Sequence, residues 1–118
     1  MAESSVLSTH VLNVAQGVPA EGVPVELWRL EPAEELVLRT ATGPDGRAEG
    51  ALLPPAAFVP GRYELRFGVG DYFRRRGLGA DPPFHDVVPV RIFLAEGQGH
   101  YHVPLLCSPW SYTTYRGS

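Results

Sequence analysis

Lysine is absent. All ten basic residues other than histidine are arginine. That excludes Schiff-base chemistry and a Walker-type phosphate loop, both of which need a lysine amine. One cysteine, Cys107, is present. A lone thiol excludes an intrachain disulfide and any cysteine-built zinc cage, and it is compatible with a reducing compartment. No apolar run approaches the ~20 residues that span a bilayer. Met1 to Ser5 is polar without a basic stretch, so no secretory leader is expected and the cytoplasm is the default location. Basic residues are scattered apart from Arg74-Arg75-Arg76, and the net charge is -3. Neither a nucleic acid nor a membrane is an expected partner, because such partners call for wider basic surfaces. The triplet reads as a solvated loop or helix end. The carboxylates form no pair with catalytic spacing, and Glu34-Glu35 reads as solvation.

What is abundant is punctuation. Thirteen glycines and twelve prolines fall between short apolar runs, the pattern of an all-β protein. The 118 residues favour one domain, 1–118, large enough to bury a core. Strands are expected over Val6–Val14, Val23–Leu30, Leu36–Thr42, Gly61–Phe67, Val87–Leu94, His100–Cys107 and Trp110–Tyr115, with a short one starting at Arg47. The clearest alternation sends Tyr63, Leu65 and Phe67 inward and Arg62, Glu64 and Arg66 outward. Pro89 removes a ladder donor and marks an edge or bulge. Val69–Arg76 is the one helix candidate. Seven or eight short strands read as a β-sandwich.

Alternation also separates chemistry from core. Tyr101, Val103, Leu105 and Cys107 form an apolar stripe, so Cys107 reads as a buried, inert thiol. His100 and His102 take the opposite face. His10 shares its face with Ser8, Leu12 and Val14. Histidine is the commonest general acid–base, because its free pKa lies near 6.5. Two histidines with Arg47, just after the turn Thr42-Gly43-Pro44-Asp45-Gly46, could form a hydrolytic site in which the guanidinium meets a developing oxyanion. Unrelated surface histidines are the plainer reading of the spacing alone. A zinc site from His100, His102 and His10 is a rival. The C-terminal segment from Trp110 to Ser118 is rich in aromatic and hydrogen-bonding groups, and holding it in place costs entropy unless it docks.

Three segments carry a resemblance. They are Leu7-Ser-Thr-His-Val-Leu-Asn13 with Gly17, Pro19 and Gly22-Val-Pro-Val25; Thr42-Gly-Pro-Asp-Gly-Arg47; and Tyr101-His-Val-Pro-Leu-Leu-Cys-Ser-Pro109, running on to Tyr115-Arg-Gly-Ser118. Across nearly its whole length the chain resembles the transthyretin-like 5-hydroxyisourate hydrolases of purine breakdown. The terminal tetrapeptide with the upstream histidine separates these from the hormone-carrying transthyretins, which remain the alternative as small-molecule carriers without catalysis. The resemblance implies a two-sheet sandwich of about eight strands with one short helix. It implies a homotetramer (a dimer of dimers) with its site at the dimer–dimer interface, and no cofactor or metal. By position the catalytic trio falls on His10, Arg47 and His102, and Tyr115, Arg116, Gly117 and Ser118 line the substrate cleft. The implied reaction is hydrolysis of the cyclic amide of 5-hydroxyisourate to 2-oxo-4-hydroxy-4-carboxy-5-ureidoimidazoline. One histidine would activate water and the other would protonate the leaving nitrogen, in an order the residues leave open. Asn13, where the family often has aspartate, and Cys107, where it has an aliphatic residue, depart from the pattern outside the trio.

Overall fold

A computed structural model describes residues 5–117. Among them eight strands form two four-stranded sheets. The first is ordered β2-β1-β7-β8, from β1 (Val6–Asn13), β2 (Val18–Pro19), β7 (His100–Cys107) and β8 (Tyr112–Thr114). The second is ordered β4-β3-β5-β6, from β3 (Pro24–Arg29), β4 (Glu35–Ala41), β5 (Gly61–Phe67) and β6 (Val88–Leu94). One α-helix, α1 (Val69–Arg75), follows β5. This is the all-β sandwich that the alternating runs predict.

The core lies where the inner faces meet. Leu7 and Val11 of β1 and Val103, Leu105 and Cys107 of β7 belong to one buried cluster with Val25 and Leu27 of β3 and Tyr63, Leu65 and Phe67 of β5. Period-two alternation makes this inevitable once one face is apolar. Tyr72 and Phe73 of α1 join the same cluster. The Tyr72 hydroxyl accepts from the buried Asn13 amide at 3.1 Å, tying the helix to the end of β1. Burial pushes the Cys107 thiol up to about 11, so it stays protonated and unreactive near neutrality.

One sequence expectation holds and three change in detail. β6 is an edge strand, as Pro89 predicts. Instead of a strand at Arg47 there are two isolated bridges, His10 to Arg47 and Thr42 to Ala48. β8 begins only at Tyr112, because Ser108 to Ser111 is spent on a turn closed by the Ser108 amide donating to the Ser111 carbonyl at 2.9 Å. Glu64 points outward, as alternation requires, yet it is only 4% exposed. Its register partner Arg91 on β6 and its neighbour Arg66 both hydrogen-bond its carboxylate.

The arginine triplet sits at the end of α1. Arg74 pairs with Asp71 and Asp81. Arg75 donates to the Gly22 carbonyl and Arg76 to the Gln16 side chain. Cations in a last helical turn also meet the negative end of the helix dipole. Among the described residues no helix is long and apolar enough to cross a membrane.

Candidate active site

The site is built on one pairing. β1 and β7, the first and seventh strands, lie side by side and parallel, with Ser8 opposite His102 and His10 opposite Pro104. The outward residues of both strands therefore share one face of the sheet: Ser8 and His10 from β1, His100 and His102 from β7. Ser8 Oγ lies 2.6 Å from His100 Nε2 and 2.9 Å from His102 Nδ1. His102 thus keeps Nε2 for other work.

The turn before Arg47 completes the group. Gly46 takes φ +81°, and a Cβ there would run into the Val11 carbonyl oxygen. Glycine lets the turn lie flat against β1, where the Val11 amide donates to the Gly46 carbonyl at 2.8 Å. Asp45 Oδ1 accepts the Arg47 amide at 2.9 Å, and the Arg47 backbone bridges to His10. His10 Nε2 lies 2.8 Å from the Asp45 carbonyl oxygen. A carbonyl only accepts, so His10 Nε2 carries its proton and Nδ1 is the nitrogen left for substrate. Ser8, Arg47 and His100 line a cleft of about 380 Å³ with Ala48, Gly50 and Ala51.

The C-terminal residues divide. The Gly117 amide donates to the His102 carbonyl at 2.7 Å, and a Cβ on Gly117 would come within 2.8 Å of the His102 ring. Glycine is needed for that approach. Tyr115 and Arg116 instead line a second cleft, of about 330 Å³, between the edge strands β6 and β8. There the Arg116 guanidinium sits 4.2 Å over the Tyr101 ring. Within one chain, then, Gly117 reaches the trio whereas Tyr115 and Arg116 turn to the other side. Ser118 lies outside the described residues.

Electrostatics sets the protonation of the centre. Burial lowers the His102 pKa below the ordinary histidine value, and its electrostatic interactions with Arg47, His100 and His10 push it the same way. His102 is therefore a neutral imidazole at neutral pH. A neutral imidazole with Nε2 free can accept a proton, and an arginine beside it can stabilise an oxyanion. Among the described residues Arg47 has no carboxylate pairing partner. Among them, too, no three of His, Cys, Asp and Glu come together as a metal-ligand group. His85, the remaining histidine, packs on Phe84 and Tyr112.

Ser8 and Asp45 are the participants that residue types alone did not single out. Alternation does place Ser8 on the His10 face. The missing signal is the parallel register that sets it opposite His102.

A transthyretin-like sandwich with an outward imidazole–guanidinium cluster defines the class. The model of the HIUase/Transthyretin family matches residues 7–117, and the chain belongs to that family. It is 49% identical to "5-hydroxyisourate hydrolase 2" of Rhizobium meliloti (strain 1021), over 100% of both chains. It superposes on the crystal structure of (S)-allantoin synthase with a TM-score of 0.91 and 42% identity; 99% of this chain is covered, and it spans 45% of that one. Sea bream transthyretin, solved in complex with thyroxine, superposes with a TM-score of 0.84 at 28% identity, covering 94% of this chain and 93% of that one.

Proposed function

We propose that this chain hydrolyses the cyclic amide of 5-hydroxyisourate, opening the ring to 2-oxo-4-hydroxy-4-carboxy-5-ureidoimidazoline in urate breakdown. The observation that carries the reading is His102, its Nδ1 bonded to Ser8 and its Nε2 unspent, on the sheet face it shares with His10, whose backbone bridges to Arg47. Near full-length identity to a curated 5-hydroxyisourate hydrolase supports the substrate.

The residues divide the work by their free atoms. His102 Nε2 takes a proton from water as its oxygen attacks the ring carbonyl. Arg47 meets the negative charge that grows on the carbonyl oxygen, which neutral water would stabilise less well. When the C–N bond breaks, the leaving nitrogen takes a proton from the cationic form of His10, through Nδ1. Exchange with solvent then discharges His102 and recharges His10. Gly117 packs against the His102 ring, and Tyr115, Arg116 and Ser118 are assigned to substrate binding. No cofactor enters this scheme.

The working form is a homotetramer, a dimer of dimers, with the site where dimers meet. The open face of β1 and β7 and the transthyretin-like neighbours support this, and a symmetric interface is the natural cover for an outward-facing polar strand pair. Sedimentation of the pure protein checks it: a tetramer is expected, and a monomer at micromolar concentration contradicts it. A cytoplasmic setting fits the single buried thiol.

The likeness to a thyroxine-bound transthyretin favours a second reading, a carrier without catalysis. One experiment separates them. Freshly generated 5-hydroxyisourate is followed by ultraviolet stopped-flow beside its spontaneous decay. Acceleration proportional to protein concentration is expected. Saturable binding of an aromatic ligand with no acceleration would establish the carrier instead.

A further inference from the structure

A base works only if its proton-accepting atom is bare. Neutral imidazole has two tautomers, and the hydrogen bond at one nitrogen decides the state of the other. At His102 that bond goes to Ser8, and Ser8 is also bonded to His100. A hydroxyl carries one hydrogen. With all three groups neutral, Ser8 therefore donates to one ring and accepts from the other.

The two contacts differ in length. The bond between Ser8 Oγ and His100 Nε2 is 2.6 Å, and that between Ser8 Oγ and His102 Nδ1 is 2.9 Å. A serine hydroxyl that donates to His100 Nε2 must accept from His102 Nδ1–H. That arrangement leaves His102 Nε2 bare. The opposite arrangement would place the proton on His102 Nε2 and leave the site without a base.

We propose that Ser8 and His100 are positioning residues for the ring-opening reaction: their hydrogen-bonded chain holds His102 in the tautomer whose Nε2 is bare. This rests on the reading of His102 as the base. Once His102 has taken the proton from water, its Nδ1–H bond to Ser8 becomes charge-assisted and strengthens. Ser8 then also holds the imidazolium in place. The charged and titratable groups facing His102 are Arg47 and His10 from the turn and β1, and His100 from its own strand. The C-terminal segment brings the Gly117 backbone against it.

The test uses the full-length assembled protein with Ser8→Ala, Ser8→Thr, His100→Ala and the double variant Ser8→Ala/His100→Ala. Two quantities are read: kcat and KM on fresh 5-hydroxyisourate, and the ring ¹⁵N shifts of His102 without substrate. Ser8→Ala should lower kcat about tenfold or more, part of the ~10²–10⁴ that a general base supplies, with KM little changed. Ser8→Thr keeps the hydroxyl and should restore most of it. The double variant should be no slower than Ser8→Ala, because both substitutions break one chain. The ¹⁵N shifts should show Nδ1 protonated in the native protein and a move toward Nε2–H in Ser8→Ala. Native kcat in Ser8→Ala overturns the proposal. So does a fall in kcat with no change of tautomer, or a native His102 protonated on Nε2. His102→Ala run alongside keeps the two readings apart: full turnover there removes His102 as base, while the substrate-free tautomer still judges the Ser8 contact by itself.

Discussion

The outer faces of the two sheets are built to opposite rules. On the β4-β3-β5-β6 sheet, charge is closed on itself. Glu64 is held by Arg66 and Arg91, Arg66 also reaches Glu34, and Glu26 is shared by Arg39 and the Trp28 indole. Arg66 in addition lies 4.4 Å over the Trp28 ring. On the β2-β1-β7-β8 sheet the polar groups are ordered but not used up. Ser8 and the Asp45 carbonyl each fix one imidazole nitrogen, and the other nitrogen is left for a substrate. Mutually satisfied polar groups rigidify a surface; groups aimed outward, with only one side anchored, can act on a ligand. The same strand chemistry thus gives a fastener on one face and a reactive face on the other.

Substitutions sharpen that contrast. Among substitutions around the base, the largest effect belongs to Arg47→Ala. It should cost about 10²-fold or more in kcat by steady-state assay, with a melting temperature close to native, because the side chain has no carboxylate pairing partner among the described residues. Loss of stability without loss of turnover would erase the distinction between the faces. Next comes Glu64→Ala, which should do the reverse. It removes the buried carboxylate that ties Arg66 to Arg91, both of which reach solvent, and should cost about 1 kcal/mol in denaturant unfolding, with kcat per folded protein unchanged.

The two faces should also separate in acid. Burial pushes the Glu64 carboxyl up, but hydrogen bonds from Arg91 and Arg66 outweigh it and hold the pKa below the ordinary value. The folded state therefore favours the charged form. That stability is present above the ordinary glutamate pKa and is lost as pH falls through the folded one. His102 is lowered below the ordinary histidine value, chiefly by burial. The unfolded chain then binds its proton more readily, so His102 subtracts stability as pH falls below about 6.5. The acid limb of kcat/KM should lie below about 6.5 as well. A limb above that value would contradict a desolvated base. The smallest expected effect is that of exhaustive chelation, which should leave turnover unchanged; loss restored by added zinc would revive the His100–His102–His10 metal reading.

Much of the framework was legible in the residues. Gly61–Phe67 and His100–Cys107 alternate so cleanly that both strands match the structure end to end. The helix over Val69–Arg76 differs by its last residue, which serves as the C-cap. Apolar periodicity reports which face is buried, and that is what these segments carry. It does not report which strands are neighbours. Nothing local in Val6–Asn13 specifies a parallel partner ninety residues away, yet that pairing brings Ser8 to His102. Burial of Glu64 was hidden for the same reason, since Arg91 meets it only across β5 and β6. His10, Arg47 and His102 came from family resemblance, with spacing too weak to choose them. The direction of Tyr115 and Arg116 depends on where the chain leaves β8, which no periodicity encodes.

The most direct test of the reactive face is single-turnover stopped-flow of 5-hydroxyisourate with His102→Ala, its fold and assembly first matched to the native protein. Ring opening at the spontaneous rate, or within a small factor of it, is the predicted result. Native turnover in a folded, assembled His102→Ala protein would contradict the account.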